Sequence, residues 1–377
     1  MKFIHTADLH IGKTVNGFSM LEDQKYILER IVDIVDEEQP QAVLIAGDVY
    51  DKTAPSAAAV ALFDDFLFEL TRRDIDIFII SGNHDSPERL SFGGRIMEKS
   101  RVHIAPVYEG QAKKVVLEDE YGPVNVYMLP FVRPGEVRAC FPDAEIETYT
   151  DAAQCAVKEM NIDTARRNVL LAHQFVTGAE TFKSEEINTG TLDNVDGDIF
   201  QDFDYTALGH VHGPQNVGSQ RLRYAGTPLK YSFSECTHKK SVTVFELGKK
   251  GDFSMHVKEL IPLRDMVRIK GRYDEVTSGN FYAPLKLNEK YVHITLTDEE
   301  DIPEALGRLR AVYPYLMKLD YDNARTAQKR DAKLLETEKE MTPLEIFSSL
   351  YELQNNVPVS EEQEKILRPL IEKIWEV

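Results

Sequence analysis

The 377-residue sequence predicts an α/β protein, and three observations carry that prediction. Short apolar runs without alternation recur along the first two-thirds of the chain, the mark of strands covered on both faces. Amphipathic helical stretches lie between the early runs, so strand and helix alternate. Each run stops at a cluster of Gly, Asn, Asp or His, and ligand sites in open α/β sheets gather beyond the carboxyl ends of the strands.

The first strand runs into Asp8-Leu9-His10. Residues 20–38 place Leu21, Ile27, Leu28, Ile31, Val32, Ile34 and Val35 on one helical stripe, stopped by Pro40. Val43-Leu44-Ile45-Ala46 ends at Gly47-Asp48. Pro55 to Arg73 reads as a second helix, with Pro near its start and Arg72 and Arg73 in its last turn. Ile77-Phe78-Ile79-Ile80 ends at Ser81-Gly82-Asn83-His84-Asp85, Val169-Leu170-Leu171-Ala172 at His173, and Tyr205-Thr206-Ala207-Leu208 at Gly209-His210. Later the pattern turns to strands. Ser241 to Leu247 and Phe253 to Leu260 alternate around Gly248-Lys249-Lys250-Gly251-Asp252 and predict a hairpin.

Residues 1–262 thus form a first domain, and a small α/β cap domain follows over 263–322. Its strands are expected at Val267 to Lys270, Tyr291 to Thr297 and Tyr315 to Tyr321, with a helix over 303–312. Polar residues 323–341 read as a linker, and 342–377 as a helical tail. Thr342-Pro343-Leu344-Glu345 and Ser360-Glu361-Glu362-Gln363 are capping boxes that open its two helices. One helix gathers Leu344, Ile346, Phe347, Leu350 and Leu353 on a face, the other Ile366, Leu367, Leu370, Ile371, Ile374 and Trp375. Such faces must be buried, on a partner or on the chain's own second domain.

Composition narrows the function. No apolar run approaches the roughly 18–20 residues of a bilayer span, which excludes an integral membrane protein built on such helices. Acidic residues outnumber basic ones 63 to 44, a net charge of −19, so the overall field repels nucleic acid and anionic lipid. Contact with phosphates must then come from local basic groups or bound cations. Cys140, Cys155 and Cys236 are sparse and unpaired in pattern, and no signal peptide is evident, which places the chain in the cytoplasm.

A lone Asp or His after a strand is usually a turn residue, a cap or a solvated group. Here Asp8, His10, Asp48, Asn83, His173, His210 and His212 all fall at strand ends that one sheet edge brings together. That mixed oxygen and nitrogen set suits Mn²⁺, Fe²⁺ or Zn²⁺ and is poor for Ca²⁺. Seven ligands exceed one tetrahedral site and suit two ions about 3.5–4 Å apart that share a carboxylate, an arrangement used for phosphate-ester hydrolysis. Gly12-Lys13-Thr14 is not a Walker A motif, because Ala7 stands where its first Gly belongs.

Asp8-Leu9-His10, Gly47-Asp48, Gly82-Asn83-His84-Asp85, His173 and Gly209-His210-Val211-His212, in that order, resemble the five motifs of calcineurin-like metallophosphoesterases. The flanking words Thr6-Ala7-Asp8-Leu9-His10-Ile11-Gly12-Lys13, Gly82-Asn83-His84-Asp85-Ser86-Pro87-Glu88-Arg89-Leu90 and Tyr224-Ala225-Gly226-Thr227-Pro228 resemble the SbcD-type double-strand-break repair nucleases. The resemblance implies a layered sheet sandwich flanked by helices. It implies a double-strand exonuclease and hairpin or single-strand endonuclease that uses two divalent ions, Mn²⁺ above all, in DNA repair, recombination and replication. It further implies partnership with an SbcC-type ATPase and a homodimer within a heterotetramer. Carried over by position, Asp8, His10 and His212 hold one ion, Asn83, His173 and His210 the other, and Asp48 bridges them. His84 assists departure of the sugar oxygen, and Asp51 matches the residue that orients that His in related phosphatases. Leu344, Phe347, Leu350, Ile366, Leu370 and Ile374 become the expected ATPase contacts. Arg89, Arg95, Arg133 and Lys230 lie near the motifs and are expected DNA contacts, although a solvated or salt-bridged surface is as common for such residues. A metallophosphatase or cyclic-nucleotide phosphodiesterase would use the same ions, but small substrates require neither cap nor tail.

Overall fold

The computed structural model describes residues 1–180, 194–300 and 302–323, together with 344, 347, 348, 351, 359, 360, 363–365 and 367. Two six-stranded sheets lie face to face. The first contains β1 (Lys2–Thr6), β2 (Ala42–Ala46), β3 (Asp76–Ile80) and β4 (Val102–Ala105), all parallel. The second contains β5 (Lys113–Asp119), β6 (Gly122–Leu129), β7 (Arg167–His173), β8 (Tyr205–Gly209), β9 (Gln215–Val217) and β10 (Ser219–Tyr224). The expected hairpin, β11 (Ser241–Leu247) and β12 (Phe253–Glu259), returns to the first sheet, where β11 runs antiparallel to β1. The sheet orders are β12-β11-β1-β2-β3-β4 and β9-β10-β8-β7-β6-β5.

Period two in the strands sorts the core. Phe3, Ala42, Leu44, Phe78 and Ile80 of the first sheet face Val124, Val126, Met128, Val169, Leu171, Tyr205 and Ala207 of the second. Their neighbours Ile4, Val43, Ile45, Ile77 and Ile79 face outward, onto α1 (Leu21–Glu38) and α2 (Ala57–Thr71). On the far side Tyr127, Leu129, Leu170, Ala172 and Leu208 pack with α3 (Tyr149–Lys158). The runs carry no polar alternation because both faces are covered. Helix α1 ends where Gln39 turns left-handed (φ 51°) ahead of Pro40, and α2 starts at Ser56, whose hydroxyl accepts from Ala59 N at 3.2 Å.

The second unit is a three-stranded parallel sheet, β13 (Met266–Gly271), β14 (Tyr291–Leu296) and β15 (Leu316–Tyr321), with α4 (Ala305–Val312) against it. It has its own core, built on Val292, Ile294, Leu296, Leu309, Tyr313 and Leu316. Met266, Tyr291 and Met317 join the core beneath α1, and the Tyr291 hydroxyl donates to buried Asp23 at 2.6 Å.

Of the tail, Leu344 and Phe347 are helical, with the Phe347 ring 6.4 Å from that of Tyr351. The second capping box is formed: Ser360 N donates to Gln363 Oε1 at 3.0 Å and Gln363 N to Ser360 Oγ at 3.3 Å. Leu350, Ile366, Leu370 and Ile374 lie outside the described residues, as does the linker beyond Asn323.

Candidate metal centre

The carboxyl ends of the parallel strands in both sheets open onto one edge. Beyond β1 come Asp8 and His10, beyond β2 Asp48, beyond β3 Asn83 and His84; β7 ends on His173, and β8 leads into His210 and His212. The first loops are zipped to each other: Asp8 N donates to Gly47 O at 3.1 Å and His10 N to Asp48 O at 2.9 Å. The backbone is strained there. Asp8, His10, Asp48 and His210 have φ of 52°, 45°, 47° and 100°, in a region that costs a non-glycine residue about 1–3 kcal/mol. Crowding explains two motif glycines: a Cβ on Gly82 would overlap the Asp48 carboxylate, and one on Gly209 the carbonyl of Ala46.

Asp48 sits at the middle. Its Oδ2 is 3.6 Å from His10 Nε2, 3.5 Å from His173 Nε2 and 4.0 Å from His84 Nε2, and its Oδ1 accepts from His84 N at 3.0 Å. On one side His10 Nε2 and His212 Nε2 face each other at 3.2 Å. On the other, Asn83 Oδ1 lies 3.0 Å from His173 Nε2 and 3.1 Å from His210 Nδ1. Asp8 Oδ1 accepts from His210 N at 2.9 Å and stands 3.9 Å from His173 Nδ1. All seven expected ligands therefore meet in one centre. Among the described residues two triads have ligand atoms within 4.8 Å of one another, His10–Asp48–His84 and Asp8–Asp48–His173, and Asp48 belongs to both. The donors fit divalent cations: opposed, buried lone pairs, such as those of His10 and His212, need a proton or a cation between them.

The electrostatics agree. Burial disfavours the charged form of Asp48, but the imidazoles of His173 and His10 outweigh it and hold the carboxyl well below its usual range. Burial pushes His10 far down, His210 down to about 3, and His212 down as well. An ionised Asp48 beside the neutral rings of His10, His210 and His212 is the protonation state a divalent cation takes, and His173 would release its proton to join them. His173 differs: burial lowers it, but Asp48 carries it up to about 9.

His84 stands slightly outside, with its side chain 18 % exposed and its ring edge-on to His10. Asp51 meets His84 through its main chain. The main-chain oxygen of Asp51, not its carboxylate, lies 3.2 Å from His84 Nδ1. The carboxylate instead accepts from Lys13 Nζ at 2.6 Å and lies 3.8 Å from His10 Nδ1. Asp85 ties the loops together, accepting from Val49 N, Tyr50 N and Gly82 N at 3.1, 2.9 and 3.0 Å.

Of the four basic residues expected to meet DNA, two are engaged: Lys230 donates to Asp265 Oδ1 at 2.7 Å and Cys236 O at 2.8 Å, and Arg133 Nη1 donates to Glu136 Oε1 at 3.4 Å. Arg133 lies 5.1 Å over the ring of Phe131, which stacks 6.1 Å from that of His210. Arg89 and Arg95 are exposed on short helical turns just after His84. Several supports escaped the sequence reading. Gln24 donates to His10 O at 2.7 Å and Tyr231 to Leu9 O at 2.6 Å, while Glu235 and Lys240 lie behind His212. Gln24 alone left a signal, as a glutamine between Leu21 and Leu28 in the apolar stripe of α1.

Fold and site together define a calcineurin-like phosphoesterase, and that family matches residues 1–214. A second family, described as the type 5 capsule protein repressor C-terminal domain, matches residues 262–355. The chain is 35% identical over 323 residues to the SbcD subunit of nuclease SbcCD from Staphylococcus epidermidis, covering 85% of each. It belongs to the SbcD branch of the calcineurin-like phosphoesterases and is a metal-dependent phosphodiesterase. Solved structures of a protein from Thermus thermophilus and of a dimetal phosphatase from Danio rerio superpose loosely. Their TM-scores are 0.40 and 0.39 at 13% and 10% identity, over 68% and 69% of this chain and 98% and 96% of theirs. No described helix is long and apolar enough to cross a membrane.

Proposed function

We propose that this chain is the nuclease subunit of an SbcCD-type complex, a Mn²⁺-dependent exonuclease on double strands and endonuclease on hairpin and single-stranded DNA. It would work with an SbcC-type ATPase in DNA end processing, repair and recombination, as a homodimer within a heterotetramer. The observation that carries this reading is the position of Asp48, common to both ligand groups and 4.0 Å from His84.

Asp8, His10 and His212 would hold one divalent cation and Asn83, His173 and His210 the other, with the Asp48 carboxylate placed between the two groups. When bound, the ions supply Lewis-acid stabilisation of the scissile phosphate and lower the pKa of water for in-line attack. The chain does the rest. The Asp51 carbonyl takes the Nδ1 side of His84, which leaves Nε2 as the ring atom that would pass a proton to the departing sugar oxygen. Arg133 and the Phe131 ring beside His210 offer a cation and an aromatic face to the neighbouring nucleotide. Arg89 and Arg95 reach the backbone farther out, and the apolar faces of the tail meet the ATPase.

The test uses purified chain with Mn²⁺ or with chelator, on duplex, hairpin and single-stranded DNA and on p-nitrophenyl phosphate, with and without the ATPase and ATP. Mn²⁺-dependent cleavage of DNA, increased by the ATPase with ATP and lost in a folded Asp48→Ala variant, is expected. Turnover of p-nitrophenyl phosphate with DNA left intact would favour a phosphatase, and normal cleavage by Asp48→Ala would remove the shared carboxylate from the mechanism.

A further inference from the structure

Behind His212 lies a charge pair that the reaction does not use directly. Glu235 ends a single turn, Phe233–Glu235, and Lys240 stands just before β11. Their side chains are 0 % and 3 % exposed. The Lys240 ammonium has three donors and meets three acceptors: Glu235 Oε2 at 2.6 Å, Thr227 Oγ1 at 2.7 Å and His212 O at 2.8 Å. The other Glu235 oxygen, Oε1, is 3.7 Å from His212 Nδ1. The pair thus meets His212 twice: Lys240 bonds its carbonyl, and Glu235 Oε1 stands beside its ring at ion-pair distance.

Burying two charges is poorly repaid by their mutual attraction, and an apolar pair of similar volume is commonly as stable or more so. Folding alone therefore gives this pair little reason to be here. Its geometry supplies one. A carboxylate on the Nδ1 side favours the tautomer with the proton on Nδ1. That leaves the Nε2 lone pair pointing into the centre, where it lies 3.2 Å from His10 Nε2. Carboxylates placed this way behind ligating imidazoles fix ring orientation and raise basicity, and their loss typically weakens metal affinity about 10–100-fold.

We propose that Glu235 and Lys240 are positioning residues that hold His212 as an Nδ1–H imidazole with its Nε2 lone pair offered to a divalent cation. The proposal rests on reading His212 as a ligand, and the experiment separates the two. Metal-free full-length protein is titrated with Mn²⁺ by calorimetry, and its thermal melting is recorded without metal. Glu235→Gln is expected to bind one of two Mn²⁺ ions about 10–100-fold more weakly. Because Glu235→Gln leaves Lys240 buried and uncompensated, the double variant Glu235→Gln/Lys240→Met is measured too. It is expected to melt no lower than Glu235→Gln alone, because the uncompensated ammonium is gone, yet keep the weakened Mn²⁺ site. Wild-type affinity at both sites in the double variant would overturn the proposal and leave the pair a structural one. His212→Ala is the reference: loss of one Mn²⁺ there upholds the ligand reading, and two wild-type sites there would refute that reading itself.

Discussion

Gly82→Ala is a purely steric probe of the centre. Gly82 does not sit in the left-handed region, so the added methyl brings no backbone strain, unlike Gly47 at φ +86°. A Cβ at Gly82 would overlap Asp48 Oδ1 and come to 2.5 Å from Asp48 N and 2.7 Å from its Cγ, where ordinary contact begins at 3.4 Å, so Asp48, main chain included, must retreat by about 0.7–0.9 Å or the Gly82 loop must yield. The loop is pinned, since Gly82 N donates to Asp85 Oδ2 at 3.0 Å and Asp85 holds Val49 and Tyr50 as well. Asp48, main chain and carboxylate together, is therefore the part that moves, and its carboxylate is common to both ligand groups. Misplacement of a reacting assembly by about 1 Å costs on the order of 10²-fold in rate. The variant is expected to keep its far-ultraviolet circular dichroism and to lose roughly 10²-fold in Mn²⁺-supported DNA cleavage, with weaker Mn²⁺ binding by calorimetry. A rate and a Kd for Mn²⁺ within twofold of wild type would show that the Asp48 position is not what the reaction depends on.

His84→Ala should retain both metals, because the bond from His84 N to Asp48 is main-chain, yet cleave DNA about 10²-fold or more slowly; metal analysis of the variant decides between catalytic and ligand roles. Glu38 gives a pH test away from the centre. Hydrogen bonding to Lys258, set against burial and aided by Lys2, lowers its pKa from 4.5 to about 2. The folded value lies below the unfolded one, so this stabilisation is complete above pH 4.5 and disappears as pH falls toward 2. Solvent screening limits it to about 1 kcal/mol, so Glu38→Gln should lower Tm at pH 7 and match wild type near pH 2. Deleting residues 342–377 should abolish capture by an SbcC-type ATPase while Mn²⁺-dependent cleavage persists; unchanged capture would assign the tail to this chain's own core.

The strand ends and the polar residues that gather beyond them were legible because buried parallel strands leave an unbroken apolar signature and stop abruptly at polar residues. The two helices over the first sheet were legible from their stripes. The hairpin of β11 and β12 was also readable, but not its return to β1, since pairing across more than 200 residues leaves no local mark. Asp51 shows a different limit. Spacing places a residue near His84 but does not distinguish its carboxylate from its carbonyl, and the carboxylate went to Lys13. Glu235 and Lys240 were invisible because both are ordinary surface types, and only the fold buries them.

The division of the donors between two sheets has a consequence for folding. A chain with only the first sheet formed offers Asp8, His10, Asp48 and Asn83; one with only the second offers His173, His210 and His212. Neither fragment reproduces the shared arrangement around Asp48. Affinity for divalent ions is then a property of the docked sandwich, and by mass action it stabilises that state over every partly assembled one. On the proposed ligation the centre would act as a clasp across the seam: it would reward only chains whose two halves have already met in register, and chelation is expected to loosen the sandwich at that edge.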